Sequence, residues 1–298
     1  MPTSCDSVRR AQPLFGTFVE IAVDAPAGAK TDAAIDAAFS TVIETHRLMS
    51  FHEPDSDVSR LNREASRRDV EVAPWTYDVI AAALDLYHRS SGVFDIAIAP
   101  VLQTLGLLPP ADAGEAEDTG ATSAAILLLP GNRVRFQHPA LRIDLGGIAK
   151  GFAVDRAMHA LHRHGVTSGL VNAGGDLAAF GADGHSVGIR DPRTPDRLLC
   201  AVMLHDQALA SSASRAGTHG YTQAAVIDPI RRLPTGALGA TVLARSCMHA
   251  DALTKIVMLA GERAAPILDH FGASALLITA NGEVTSNADW QNVVSSAA

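Results

Sequence analysis

The sequence predicts an α+β fold, and three observations support it. Short runs of strand character cluster together instead of alternating one for one with helical runs, which favours α+β over a doubly wound parallel sheet. The helical runs are amphipathic, with apolar residues at helical spacing. No internal repeat of fixed period is evident.

The first element is FGTFVEIAV, Phe15 to Val23, which alternates apolar and polar residues and closes on a turn at 24–28; it reads as a strand. TDAAIDAAFSTVIETHRLMS follows, with Thr31 as N-cap and Ile35, Phe39, Val42, Ile43 and Leu48 on one helical face. A second helix begins with Pro74 in its first turn and ends near Gly92. Residues 109–124 are acidic, small and marked by Pro and Gly, an exposed loop between two halves. ILLLP and NRVRFQ then form a hairpin-like pair. LRIDL is read as a strand, followed by a glycine pair and a helix from about Ile148 to Arg163. Two short strands surround GLVNAGGDLAAFG, and HSVGIRD, LLCAVML, QALASS and AAVID are short and β-like. HADALTKIVMLAG and ERAAPILDHFG return to helix, and ALLITA is the last strand.

With 298 residues, the chain is long enough for one large domain or two lobes sharing a core, and we read 1–298 as one domain of two lobes. Hydrophobic residues at 47% and charged residues at 19% are a globular balance. A net charge of −8 without any Lys/Arg run argues against nucleic-acid or anionic-membrane partners. The 24 glycines, beside 5% aromatics, suit tight turns and close backbone approach better than an aromatic recognition surface. Cys5, Cys200 and Cys247 form no CxxC pair, so a cysteine-held metal or cluster is not expected. No apolar run precedes Cys5 and no stretch of 18 apolar residues occurs, so neither lipobox nor membrane segment is expected and the location reads as cytoplasmic.

Four places look like chemistry. In IDLGGIAKGFAVD a strand ends in Asp144, Gly146 and Gly147 make a turn, and a helix begins with Lys150 in its first turn; free N–H groups and the lysine suit a phosphate. The other reading is a strand–turn–helix corner with an exposed lysine, and the pattern is neither GxGxxG nor a P-loop, so it assigns no nucleotide class. NAGGD, Asn172 to Asp176, offers a second glycine pair, Gly174 and Gly175, which either converges on the same ligand or is a plain turn or bulge. Phe94 and Asp95 follow a helix end at Gly92, as a binding wall or as core packing plus a cap. In HADALTK, Asp251 is either a helix cap or dipole partner, forming an i,i+4 pair with Lys255, or a ligand for a hard cation such as Mg²⁺. His159, His162 and His164 read as a solvated helix C-terminus rather than a metal site, and Ser212 lacks the partners of a hydrolase triad.

Taken in order, FGTFVEI, MSFHEPDSDVSRLN, SSGVFDIAIAP, IDLGGIAKGFAVD, GLVNAGGDLAAFG, VGIRDPR, ALASS, VIDP…PTG and ADAL resemble the ApbE family of FAD:protein FMN transferases, from about Phe15 to Ala280. The resemblance implies an α+β fold holding FAD in a cleft between two lobes, with FMN moved from FAD to a threonine of an acceptor protein, Mg²⁺ assisting and AMP released. It implies that Val93, Phe94 and Asp95 line the flavin-nucleotide site and that Gly146, Gly147 and Lys150 hold the pyrophosphate. It also implies that the Ala149 carbonyl and Asp251 bind the metal, and that Asn172, Gly174, Gly175, Asp176 and Ser212 line the cleft. Three positions depart from the family pattern. His52 stands for a tyrosine, Lys255 for a metal-binding threonine, and Ala225 for the histidine that activates the acceptor. His219, six residues before Ala225, is the candidate to replace it, so Asp251, Ser212 and His219 are the expected catalytic set. The alternative, favoured by Ala225 and Lys255, is a flavin-binding or carrier protein of the same fold without transferase activity.

Overall fold

The computed structural model describes residues 7–110, 120–216, 222–224, 226–287, 289–290 and 294–295. A hairpin of β1 (Val8–Leu14) and β2 (Thr17–Val23) leads into α1 (Ala29–Met49), α2 (Asp57–Glu64), β3 (Val70–Glu71), α3 (Pro74–Arg89) and α4 (Ala99–Thr104). A second hairpin, β4 (Ile126–Leu129) with β5 (Arg133–Phe136), precedes α5 (Ala149–Arg163). Then come β6 (Gly169–Ala173), β7 (Asp176–Phe180), β8 (His185–Asp191), β9 (Thr194–Leu204) and β10 (Gln207–Ala213). Two short pairs follow, β11 (Arg215–Ala216) with β12 (Thr222–Ala224) and β13 (Ile227–Asp228) with β14 (Leu233–Pro234). The remaining elements are β15 (Gly239–Ala244), α6 (Cys247–Ala260), α7 (Ala265–Phe271), β16 (Ser274–Ile278), β17 (Val284–Ser286) and β18 (Val294–Ser295).

The main sheet runs β1-β2-β6-β7-β10-β15-β16-β17, and each neighbouring pair in it is antiparallel. Its central strands are covered on both faces, which the period-2 side-chain alternation makes visible. In β7, Ala178 and Phe180 face Val154, Ala157 and Leu161 of α5, whereas Leu177 and Ala179 face Ile189, Val202 and Leu204 of β8–β9. Fully buried side chains such as Ile21, Ile35 and Leu161 each contribute about 2 kcal/mol by leaving water. Together these features give the predicted α+β class.

Several local expectations change. Helix α1 starts at Ala29, so Thr31 lies inside it, and its hydroxyl donates to the Pro26 carbonyl at 2.7 Å instead of capping the helix. Ile43 is 47% exposed and does not join the apolar stripe of Ile35, Phe39, Val42 and Leu48. LRIDL forms no strand: Asn62 donates to the Ile143 carbonyl at 2.9 Å and accepts from the Ile143 N–H at 2.8 Å. One side-chain amide thus replaces the ladder partner.

Candidate functional site

The site is built where α5 and α6 cross. A Cβ placed on Gly151 would lie 2.2 Å from the Cys247 carbonyl oxygen, so only glycine allows this approach. The two helices also exchange carboxylates at their N-termini, where backbone donors are left free. Asp155 of α5 accepts from the Cys247 and Met248 N–H groups at 2.8 and 3.0 Å and from the Ser246 hydroxyl at 2.8 Å. In return, Asp251 of α6 accepts from the Gly151 N–H at 3.2 Å through Oδ2. The expectation that Asp251 caps its own helix is therefore corrected. Ser246 caps α6, and Asp251 sits one turn further in and serves the N-terminus of α5.

Around Asp251 stands a set of two buried aspartates and two half-buried lysines. Lys255 Nζ donates to Asp251 Oδ1 and, at 3.0 Å, to the Asp251 carbonyl. Lys150 Nζ donates to Asp176 Oδ2 and lies 3.8 Å from Asp251 Oδ2. Asp251 is 0% exposed and Asp176 1%, so these are interior ion pairs, not the exposed lysine or the solvent-facing pair left open by sequence. Burial first, and the charge of Asp251 second, push the Asp176 carboxyl up to about 6, against the pull of Lys150 and Lys255. Burial disfavours the Lys150 ammonium, but Asp251 and then Asp176 outweigh it and hold its pKa above the usual lysine range.

The glycine turn before α5 separates two cavities. One, of about 200 Å³, is lined by Val93, Phe94, Asp95, Gly146, Gly147 and Lys255 among others. The second, of about 400 Å³, is lined by His52, Gly146, Ala149 and Lys150 among others, and Asp144 borders both. Neither Gly146 nor Gly147 has a positive φ. Room is tight at Gly146, where a Cβ would lie 2.9 Å from Asp144 Oδ2, the acceptor of its own N–H, and not at Gly147. A Cβ on Gly147 would meet Phe94 at 3.6 Å and Lys255 Cε at 3.8 Å, so the Lys255 stem runs beside the turn.

The other expected residues divide by what holds them. Asp95 lines the first cavity, and its carboxylate accepts from the Ala97 N–H at 2.8 Å and the Ser123 hydroxyl at 2.5 Å; burial raises its pKa despite these bonds. NAGGD is a two-residue hairpin turn in which Gly174 and Gly175 both have positive φ, at 67° and 104°. Asn172 is engaged in that turn, accepting from the Gly175 N–H at 3.0 Å, and Asp176, at its exit, reaches Lys150. The Ser212 hydroxyl pairs with Thr254 at 2.7 Å, and Thr254 donates to the Asp251 carbonyl at 2.7 Å. His219 and Ala225 lie outside the described residues.

Thr254, Asp155 and Gly151 are site residues that sequence reasoning did not single out. A threonine beside Lys255 and a glycine directly after Lys150 were the available signals.

A divalent cation at Asp251 does not fit this arrangement. Oδ1 accepts from an ammonium and Oδ2 from a backbone N–H, with a second ammonium nearby. Lys255 Nζ thus takes the place at Oδ1 that a cation would need. Among the described residues no group of three or more His, Cys, Asp or Glu is placed to hold a metal. His164 Nδ1 lies 2.9 Å from the Ala160 carbonyl, and the His162 ring packs on Phe180. Among the described residues no helix is long and apolar enough to cross a membrane.

A profile of the ApbE family matches residues 15–277. The chain is 26% identical to a FAD:protein FMN transferase of Vibrio cholerae serotype O1, covering 86% of this chain and 82% of that protein. It is 27% identical to the FAD:protein FMN transferase of Treponema pallidum, over 94% and 86%. In three dimensions it is similar to the ApbE protein of Thermotoga maritima, with a TM-score of 0.85 at 24% identity, covering 98% of this chain and 100% of that one. A flavin transferase ApbE from Vibrio cholerae superposes with a TM-score of 0.83 at 23% identity, over 97% and 99%. At these identities the two structures establish the fold.

Proposed function

The chain belongs to the ApbE family, and on that premise we propose that it moves FMN from FAD to a threonine of an acceptor protein, releasing AMP. One observation carries this reading: the Gly146–Gly147 turn stands between two cavities, with Lys255 in the wall of one and Lys150 in the wall of the other. FAD has that form, two ring systems joined by a pyrophosphate. Phe94 and Val93 supply an apolar wall for one ring system, and the cavity beside His52 takes the other. The turn lets the pyrophosphate approach the backbone, and the two ammonium groups neutralise it.

In the transfer, the threonine hydroxyl oxygen bonds to the FMN phosphorus and the bond from that phosphorus to the bridging oxygen breaks. AMP leaves with the bond's electron pair. Phosphoryl transfer of this kind depends on in-line positioning and charge neutralisation more than on covalent help from the protein. His219 is the proposed acceptor of the threonine proton. Ser212 is a positioning residue, acting through Thr254 on the turn that carries Asp251. Because Lys255 occupies Asp251 Oδ1, this step is not routed through a metal at Asp251.

The test is to incubate the purified protein with FAD and an acceptor domain bearing the threonine. An FMN adduct on that threonine with release of AMP supports the reading. Bound FAD with an unmodified acceptor and no AMP would replace transfer with a carrier role.

A further inference from the structure

We propose that the Lys255 ammonium is a built-in counter-cation for the FAD pyrophosphate, so that this chain binds FAD equally well with or without a divalent cation. The inference rests on the reading of the glycine turn as the pyrophosphate site. Lys255 stands where one cation can serve both the buried carboxylate and the turn. Its Nζ bonds Asp251 Oδ1 and the Asp251 carbonyl, and its Cε lies 3.8 Å from where a Gly147 Cβ would stand. The side chain also lines the cavity that holds Val93 and Phe94.

The ammonium donors are also fixed in place by carboxylates before any ligand arrives. Asp176 and Asp251 face Lys150 and Lys255, two negative groups against two positive ones. A pyrophosphate arriving at the turn finds ammonium donors already held in place, with no ion to recruit from solution. A lysine on a rigid helix is present at every binding event, whereas a metal is present only as far as its concentration and affinity allow.

The experiment titrates FAD into the parent protein, Lys255→Thr and Lys255→Arg by flavin fluorescence, each in EDTA and in millimolar MgCl₂. For the parent, the two dissociation constants should agree within about twofold. Lys255→Thr should bind about tenfold more weakly in EDTA, the loss of one charge-assisted contact, and recover on addition of Mg²⁺. Lys255→Arg, which keeps the charge, should stay independent of Mg²⁺. A parent that loses tenfold or more in EDTA overturns the inference, as do Lys255→Thr curves that superimpose on the parent's in both buffers. If Lys255→Thr fails to fold, as read by circular dichroism, the parent and Lys255→Arg comparison decides alone. A parent that binds no FAD in either buffer sinks the proposed function as well, whereas FAD binding that needs Mg²⁺ sinks only this inference.

Discussion

Gly151 and Cys247 are in backbone contact across the α5–α6 crossing, at a distance that leaves no volume for a methyl group on Gly151. Because Gly151 also donates to Asp251, the crossing and the charged set are one structure. Gly151→Ala should therefore destabilise the protein by about 3 kcal/mol or more, as overpacking against backbone cannot be relieved by a rotamer change. Urea unfolding of parent and variant measures it, and a loss below about 1 kcal/mol would contradict the geometry.

Gly147 is the contrasting case. Its hypothetical Cβ makes only ordinary contacts, so Gly147→Val should shift stability by less than about 1.5 kcal/mol. The same variant should bind FAD at least about tenfold more weakly, because a branched side chain stands between the ligand and the backbone. Calorimetric titration of the folded variant with FAD tests this, and unchanged affinity would remove the turn from the site.

The ligand preference follows from the two lysines. FAD should bind at least about tenfold more tightly than riboflavin, which has no phosphate to meet Lys150 and Lys255. Competition of the two ligands for the same protein gives the ratio, and a ratio near one would count against a phosphate site.

Asp155→Ala removes the common acceptor of the Cys247 N–H, the Met248 N–H and the Ser246 hydroxyl. Buried donors left without partners should cost about 3 kcal/mol in all, and Asp155→Asn, which keeps one acceptor oxygen, should cost less. Thermal and urea unfolding rank the three proteins.

Asp176 supplies a pH dependence of defined sign. Its carboxyl titrates near 3.8 in the unfolded chain and is pushed up to about 6 in the fold. Between these values the native state holds more protons than the unfolded state, so the contribution of Asp176 to stability falls as pH rises through that window. Above it both states are ionised and the contribution levels off. Asp176→Asn has no such proton and should flatten this limb in urea titrations from about pH 4 to about pH 7.

Much of the fold was legible because its signals are local. Period-2 runs gave β6, β7, β8 and β10, Pro74 marked the start of α3, and the ILLLP–NRVRFQ pair formed its hairpin. Strand β1 went unread because VRRAQPL carries two arginines and a proline, features of an edge strand that pairs on one side only. The β character of LRIDL was misassigned because its partner, Asn62, lies 81 residues away. In the site, the Asp251–Lys255 pair was legible from its i,i+4 spacing. The tie from Asp251 to Gly151 spans 100 residues and has no local signature, and whether Lys150 and Lys255 were exposed or buried depended on it.

The exchange of carboxylates between α5 and α6 also orders assembly. Gly151 in α5, and Cys247 and Met248 in α6, each receive their acceptor from the other helix, so these amides stay unsatisfied until both have docked. The chain must close a loop of 100 residues to make this docking, and loop-closure entropy opposes it until the contacts form together. Half a site is therefore not a stable intermediate. The amides of Gly151, Cys247 and Met248 are expected to open and exchange hydrogen as one cooperative unit, with ligand binding protecting all three at once.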